Sequence, residues 1–132
     1  MFKIFPIQDP SMQKQYAELS GSPYRDGAFA YAMCDASTHE PMGFSQFEIK
    51  DDGGWLLDLR PISAKDDYEA MFILGRQTMN FIDLCGTHIL NATADAADEM
   101  LLHAIGLRIT KDGKYSCDMT GFFDGSHCSG HK

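Results

Sequence analysis

Apolar and polar residues alternate along much of the first sixty residues, and a period of two predicts β-strands. The strands are expected over residues 2–7, 28–34, 42–50 and 55–59. Short polar or glycine-containing segments separate the last three of these strands, which favours consecutive antiparallel neighbours. A helix is predicted between the first two strands, from Asp9-Pro10-Ser11 to Leu19, because this segment opens with a capping residue and a proline.

The turn Asp51-Asp52-Gly53-Gly54 concentrates acids and glycines. A calcium loop needs regularly spaced oxygen ligands and a distal glutamate, and this segment has neither. The pattern therefore favours a hairpin turn.

The best-supported helix covers residues 67–84, where apolar residues recur at steps of three and four. These positions are Tyr68, Met71, Phe72, Gly75, Met79 and Ile82. Ser63 is the expected N-cap, Asp66 lies three residues later as the acid of a capping box, and Gly86 ends the helix.

The remaining elements are a strand over 87–94, a helix over 95–105 that ends at Gly106, a strand over 107–109 and a strand over 115–123. A strand, a long helix and a second strand form a crossover, so the strands at 55–59 and 87–94 are expected to be parallel. The sequence thus predicts an α+β fold, with a mostly antiparallel twisted sheet of about seven strands, one parallel pair and flanking helices. We expect one domain over residues 1–123 and a flexible tail over 124–132.

Composition excludes several classes of function. The chain of 132 residues carries a net charge of -8 and has no basic run, which argues against nucleic-acid and anionic-membrane partners. No apolar segment approaches the length of a membrane span, and the opening residues do not form a signal peptide. The four cysteines, Cys34, Cys85, Cys117 and Cys128, lack paired spacing. We therefore expect reduced thiols in a cytoplasmic protein, three of them in the core.

Three segments carry a resemblance to a known family. Residues 41–44 (Pro-Met-Gly-Phe) place a glycine where a strand opens, residues 57–61 (Leu-Asp-Leu-Arg-Pro) run from a strand into a proline, and residues 105–107 read Ile-Gly-Leu. With the order of elements, these segments resemble the GCN5-related N-acetyltransferase (GNAT) superfamily. The resemblance implies acetyl-CoA as donor, a small-molecule or peptide amine as acceptor, and a homodimer as an open alternative through the terminal hairpin.

The resemblance also implies the positions of a cofactor site. In the family, a Q/R-x-x-G-x-G/A signature binds pyrophosphate through backbone amides, and the matching residues here are 65–70. Lys65 stands for the basic residue and Ala70 for the last small residue, whereas Tyr68 replaces a glycine. The same segment contains Asp66, Asp67 and Glu69, whose charge opposes a phosphate. Backbone groups near Leu57 and Leu59 are expected to pair with pantetheine.

Asp58 is the candidate catalytic base, because it is the only carboxylate within the strand that the family uses for this purpose. Strict alternation offers a different interpretation, in which Leu57 and Leu59 point inward and Asp58 faces solvent. The family's thiolate-protonating tyrosine corresponds to Leu102, and the neighbouring His103 is expected to be a partly exposed helix residue.

The C-terminal tail contains His127, Cys128 and His131. These residues lack the paired spacing of a zinc site, so we predict no metal site.

The function of the whole protein has a second interpretation. The degenerate signature and the missing tyrosine leave open a catalytically inactive GNAT-fold module that binds a small ligand or a protein.

Overall fold

The computed structural model describes residues 1–62 and 68–123. The elements in chain order are β1 (Phe2–Ile7), α1 (Pro10–Ser20), β2 (Phe29–Asp35), β3 (Pro41–Lys50), β4 (Gly53–Pro61), α2 (Tyr68–Leu84), β5 (Ile89–Ala92), α3 (Glu99–Ile105), β6 (Arg108–Ile109) and β7 (Tyr115–Asp118).

All seven strands join in one sheet with the order β1-β2-β3-β4-β5-β7-β6. Every neighbouring pair is antiparallel except β4 and β5, which run parallel. This arrangement confirms the predicted α+β fold and its single parallel pair. The loop between β3 and β4 is the expected hairpin turn, since Lys50 pairs directly with Gly53.

Four predicted elements are shorter in the structure. The strand predicted over 87–94 covers only Ile89–Ala92, and the strand predicted over 107–109 covers only Arg108–Ile109. The last strand stops at Asp118 rather than at residue 123, because the Asp118 carboxylate accepts the Thr120 N–H at 3.0 Å and turns the chain out of the sheet. The predicted helix over 95–105 begins only at Glu99, after a turn in which the Ala96 N–H donates to the Thr93 carbonyl. The predicted caps of α2, Ser63 and Asp66, lie outside the described residues.

The sheet is covered on both faces. On one face α1 packs Tyr16 and Ala17 against Ala30, Ala32 and Phe44. On the other face α2 and α3 bury the larger core, which includes Tyr31, Met33, Phe47, Leu56, Leu59, Leu74, Met79, Ile82 and Leu102. Adjacent residues of β2 therefore alternate between two apolar cores, so neither face of the central sheet is open to water.

The described cysteines are free thiols with different environments. Cys34 is buried, Cys117 is half-buried and Cys85 is exposed. The expectation of three core cysteines is therefore wrong for Cys85, which follows the end of α2. None of the described helices is long and apolar enough to cross a membrane.

Gly75 allows α2 to approach the strand that forms the candidate site. A Cβ atom at this position would lie 3.0 Å from Leu59 Cδ2 and 3.0 Å from Ile105 Cγ2. Both neighbours are buried in the main core, so neither has room to move aside.

We expect Gly75→Val to lower the free energy of unfolding by about 1–3 kcal/mol, because it overpacks the contact between α2, β4 and α3. Gln77→Val on the exposed side of the same helix is the control, and helix propensity limits its cost to less than about 1 kcal/mol. Urea unfolding of both variants measures the difference. Equal destabilisation would contradict this account of the packing.

Candidate active site

The central feature of the site is a β-bulge in β4. Gln46 of β3 pairs with Asp58, but the next residue, Phe47, pairs with Leu56. Leu57 is therefore an extra residue that breaks the alternation of side chains along β4. As a result Leu56 and Leu59, which are three residues apart, both lie in the core beneath α2.

The bulge places Asp58 on the opposite face, beside Gln46 and beneath the segment that leads from α1 into β2. The sequence-based alternation correctly separates Asp58 from Leu59, but its conclusion that Asp58 faces solvent is wrong. The Asp58 side chain is only 1% exposed. The reason is that α1 and residues 23–25 cover this face of the sheet as well.

A polar network satisfies the buried carboxylate. Arg25 donates through Nε to Asp58 Oδ2 at 2.6 Å and through Nη2 to Oδ1 at 3.4 Å. Gln46 Nε2 donates to Asp58 Oδ2 at 2.8 Å, and Gln13 Nε2 of α1 donates to Gln46 Oε1 at 2.9 Å. Both oxygens of Asp58 thus accept hydrogen bonds, and the network ties α1, β3, β4 and residue 25 together.

A series of oppositely charged residues extends from this network towards the end of β5, and it consists of Arg25, Asp58, Arg60 and Asp95. The Arg25 side chain is 37% exposed, and its hydrogen bond to Asp58 raises the pKa of its guanidinium above the ordinary value. Arg60 Nη2 lies 4.0 Å from Asp58 Oδ1 and donates a hydrogen bond to the Asp95 carbonyl. A hydrogen bond from the Thr93 hydroxyl is the main cause that lowers the pKa of the Asp95 carboxyl.

Sequence reasoning missed Arg25, Gln46 and Gln13. The available signal was Gln46 at the centre of a largely apolar strand, because a buried amide requires polar partners. Nothing in the local sequence identified Arg25 as the partner of a residue 33 positions away.

At the bulge, β4 separates from β5. Their parallel pairing covers only Gly54–Leu56 against Leu90–Ala92. A cleft of about 720 Å³ opens next to this separation, between the end of β4 and the first turns of α2 and α3. Its lining residues are Leu59, Arg60, Pro61, Tyr68, Met71, Asp95, Ala97, Asp98, Met100 and Leu101.

Three hydrogen bonds among the described residues link the two sides of this cleft. The Leu59 N–H donates to the Ala96 carbonyl at 2.8 Å, and the Tyr68 hydroxyl donates to the Met100 carbonyl at 3.1 Å. The third is the bond from Arg60 to the Asp95 carbonyl. A ligand that enters deeply must therefore compete with protein groups for backbone partners.

The predicted cofactor residues occupy different parts of this region. Leu57 is the half-buried bulge residue, Leu59 and Tyr68 line the cleft, and Ala70 is fully buried in the core beneath α2. Lys65 and Asp66 lie outside the described residues. Leu102 is also core, while His103 is exposed and packs edge-on against Tyr115 with ring centres 5.8 Å apart.

Within residues 1–62 and 68–123, no group of three or more histidine, cysteine, aspartate and glutamate side chains is arranged to hold a metal ion. The tail residues His127, Cys128 and His131 are not among those described.

Comparison with solved structures identifies the fold. An IAA acetyltransferase from Bacillus cereus superposes with a TM-score of 0.72 at 11% identity, over 89% of this chain and 99% of that chain. An acetyltransferase from Bacillus subtilis in complex with CoA gives a TM-score of 0.68 at 10% identity, over 89% and 99%. The ribosomal-protein-S18-alanine N-acetyltransferase from Escherichia coli gives 0.62 at 11% identity, over 88% and 89%.

No protein-family model and no curated protein sequence matches the chain. At these identities the structural matches establish the fold and not the activity. The chain has the fold of the GNAT acetyltransferases, as its sequence resemblance implied.

We expect Arg25→Ala to lower the free energy of unfolding by about 1–3 kcal/mol. Removing one partner of a buried ion pair leaves a buried charge unpaired, and the partial exposure of Arg25 reduces this penalty. Adding Asp58→Asn to Arg25→Ala is expected to restore part of the loss, because an amide needs no counter-ion and still accepts from Gln46.

Lys50→Ala is the matched control, since it removes an exposed contact of 3.3 Å with Glu48 and should cost less than about 1 kcal/mol. Chemical unfolding of the four proteins, including wild type, tests the network. A double variant as unstable as Arg25→Ala alone would show that Asp58 is not the charge that Arg25 compensates.

Proposed function

We propose that the chain is a divergent GNAT-type acyltransferase that transfers an acetyl group from acetyl-CoA to an amine. The observation that carries the proposal is the end of the β4–β5 pairing at Leu56, next to the Leu57 bulge, with a cleft beside this point. Asp58 lies at the same bulge on the opposite face of the sheet. The bulge thus brings a donor cleft and an ionisable group to one position on β4.

In this proposal pantetheine lies along the backbone of Leu57 and Leu59, and pyrophosphate lies at the start of α2, near Lys65, Asp66, Tyr68 and Ala70. The Leu59 N–H is engaged by Ala96. Pantetheine therefore replaces one protein hydrogen bond rather than entering an open slot, which lowers its net affinity.

The reaction joins the acceptor nitrogen to the thioester carbonyl carbon, breaks the carbon–sulfur bond, and leaves the CoA sulfur to take up a proton. A protonated acceptor amine must first lose a proton, and Asp58 or a water near it is the candidate acceptor of that proton. Proton transfer to Asp58 would cost the ion pair with Arg25, so Arg25 must move or re-pair during such a step. Positioning of the two substrates is then the main source of rate acceleration.

A second function is favoured by the hydrogen bonds that cross the cleft. In that case the GNAT fold persists as a catalytically inactive module that binds a small ligand or a protein. Tyr68 stands where the family signature has a glycine, and its hydroxyl binds the far side of the cleft. These features obstruct the binding of a donor in the cleft rather than favour it.

The acceptor and the assembly stay predictions. The Escherichia coli structure is that of an enzyme named for a protein alanine, which makes a peptide amine a reasonable acceptor class alongside small amines. A cytoplasmic location and the absence of nucleic-acid and membrane partners are expected from the sequence, and a homodimer through the terminal hairpin is an alternative that the family resemblance implies.

Thermal unfolding with increasing acetyl-CoA tests the proposal. A ligand at 100 times its dissociation constant adds about 2.7 kcal/mol to the stability of the native state, so the melting temperature should rise. No rise at millimolar acetyl-CoA contradicts the acyltransferase proposal and favours the inactive module.

Tyr68→Phe makes the same test more specific. It removes the hydroxyl bond to Met100 and keeps the ring, so acetyl-CoA should bind about two- to tenfold more tightly if this bond closes the cleft. Tyr24→Phe is the control, because the Tyr24 hydroxyl bonds Asp26 outside the cleft. Equal affinities of the two variants would show that the Tyr68 bond does not restrict the donor site.

A further inference from the structure

A second cavity, which we call the aromatic pocket, lies where β1 ends, α1 begins and β2 starts. It encloses about 590 Å³ and shares no lining residue with the cleft beside β4. Ile7, Pro10 and Gly27 are among its lining residues. Its size is that of a small-molecule site.

Four aromatic side chains, Phe29, Tyr31, Phe47 and Phe81, form one wall of the aromatic pocket. Phe47 stacks between Phe29 and Tyr31, with ring centres 5.6 Å and 5.9 Å apart. Phe81 of α2 packs edge-on against all three rings at 5.6–5.8 Å. Phe29 is nevertheless 47% exposed, so the stack ends in an uncovered ring.

Two polar groups at the pocket are acceptors with unused capacity. Gln13 is only 6% exposed, and its Nε2 donates to Gln46 and to the Arg25 carbonyl. No described residue donates a hydrogen bond to Gln13 Oε1. Asp26 Oδ1 accepts from the Tyr24 hydroxyl at 3.1 Å, and Asp26 Oδ2 accepts from no described residue.

The charge of the lining favours a cation. Among the described residues that line the cavity, Asp26 is the only acid, and none is a lysine, arginine or histidine. Aromatic faces attract cations through the ring quadrupole, and the two free acceptors match the N–H donors of an ammonium group. A carboxylate on the ligand would meet Asp26 with the same sign of charge.

We propose that the aromatic pocket binds a small arylalkyl amine without a carboxylate, with its ring against Phe29 and its ammonium group at Asp26 and Gln13. This site does not depend on acetyl-CoA or on acetyl transfer. It discriminates an arylalkyl amine from the corresponding amino acid by charge alone, because the two differ in the carboxylate and share the ring and the amine.

Calorimetric titration of the full chain, without acetyl-CoA, tests the site with three probes of similar shape. We expect 2-phenylethylamine to bind at least about tenfold more tightly than L-phenylalanine and 3-phenylpropionate. The ammonium group of the amine attracts the Asp26 carboxylate, whereas the carboxylate of the other two probes is repelled by it. Failure of 2-phenylethylamine to bind at millimolar concentration, or equal binding of 3-phenylpropionate, overturns the proposal.

Variants locate the binding. Asp26→Asn should remove the preference for the amine, and Phe29→Ala should weaken all binding at least about fivefold through loss of the stacking surface. Asp112→Asn, an exposed acid in the turn before β7, removes the same charge elsewhere and should leave affinity unchanged. Both Asp26 and Phe29 are substantially exposed, so the folded state should persist, which thermal unfolding verifies. Wild-type affinity in Asp26→Asn overturns the assignment.

Discussion

The arrangement of this protein depends on one extra residue in β4. Without Leu57 as a bulge, the alternation that sends Leu56 into the core beneath α2 would also send Asp58 there and turn Leu59 away from it. A carboxylate in that apolar core would have no partner, at a cost of several kcal/mol. The bulge moves Asp58 to the face where Arg25 and Gln46 bind it, and it returns Leu59 to the core. The pairing between β4 and β5 ends at Leu56, the residue next to the bulge.

The same region contains the features that favour catalysis and those that oppose it. The separated strands and the adjacent cleft match the donor site that we propose, and Asp58 lies at the same bulge on the opposite face of the sheet. The Leu59 N–H, the Tyr68 hydroxyl and the Arg60 guanidinium nevertheless bind acceptors across the cleft. The two bonds from the neutral donors contribute only about 0.5–1.5 kcal/mol net each, so a ligand that replaces them with its own amides loses little, whereas the bond from the charged Arg60 contributes about 1.5–3 kcal/mol. The free energy that holds the cleft closed is therefore modest. For this reason the fold alone does not decide whether the protein is active.

Sequence patterns predicted the elements well where an apolar period extended over many residues or where acidic residues and glycines indicated a turn. The period of α2, the hairpin at residues 51–54 and the crossover from β4 to β5 are of this kind. Position 58 shows the limit, because alternation gives the face of a residue but not what covers that face. The Arg25 pairing was beyond local patterns, since it joins residues 33 positions apart through tertiary packing. The family resemblance implied a donor region at β4 and the start of α2, and Leu59 and Tyr68 line one cleft between these elements.

The central claim is that the point where β4 leaves β5 is a donor site whose backbone groups a thioester can reach. Backbone amide spectra of 15N-labelled protein, recorded during titration with acetyl-CoA, test this claim residue by residue. The account predicts that the largest shifts occur at the amides of Leu57, Leu59 and Arg60, and that amides of β1 stay unchanged. Unchanged amides from residue 57 to residue 60 at saturating or millimolar acetyl-CoA would contradict it.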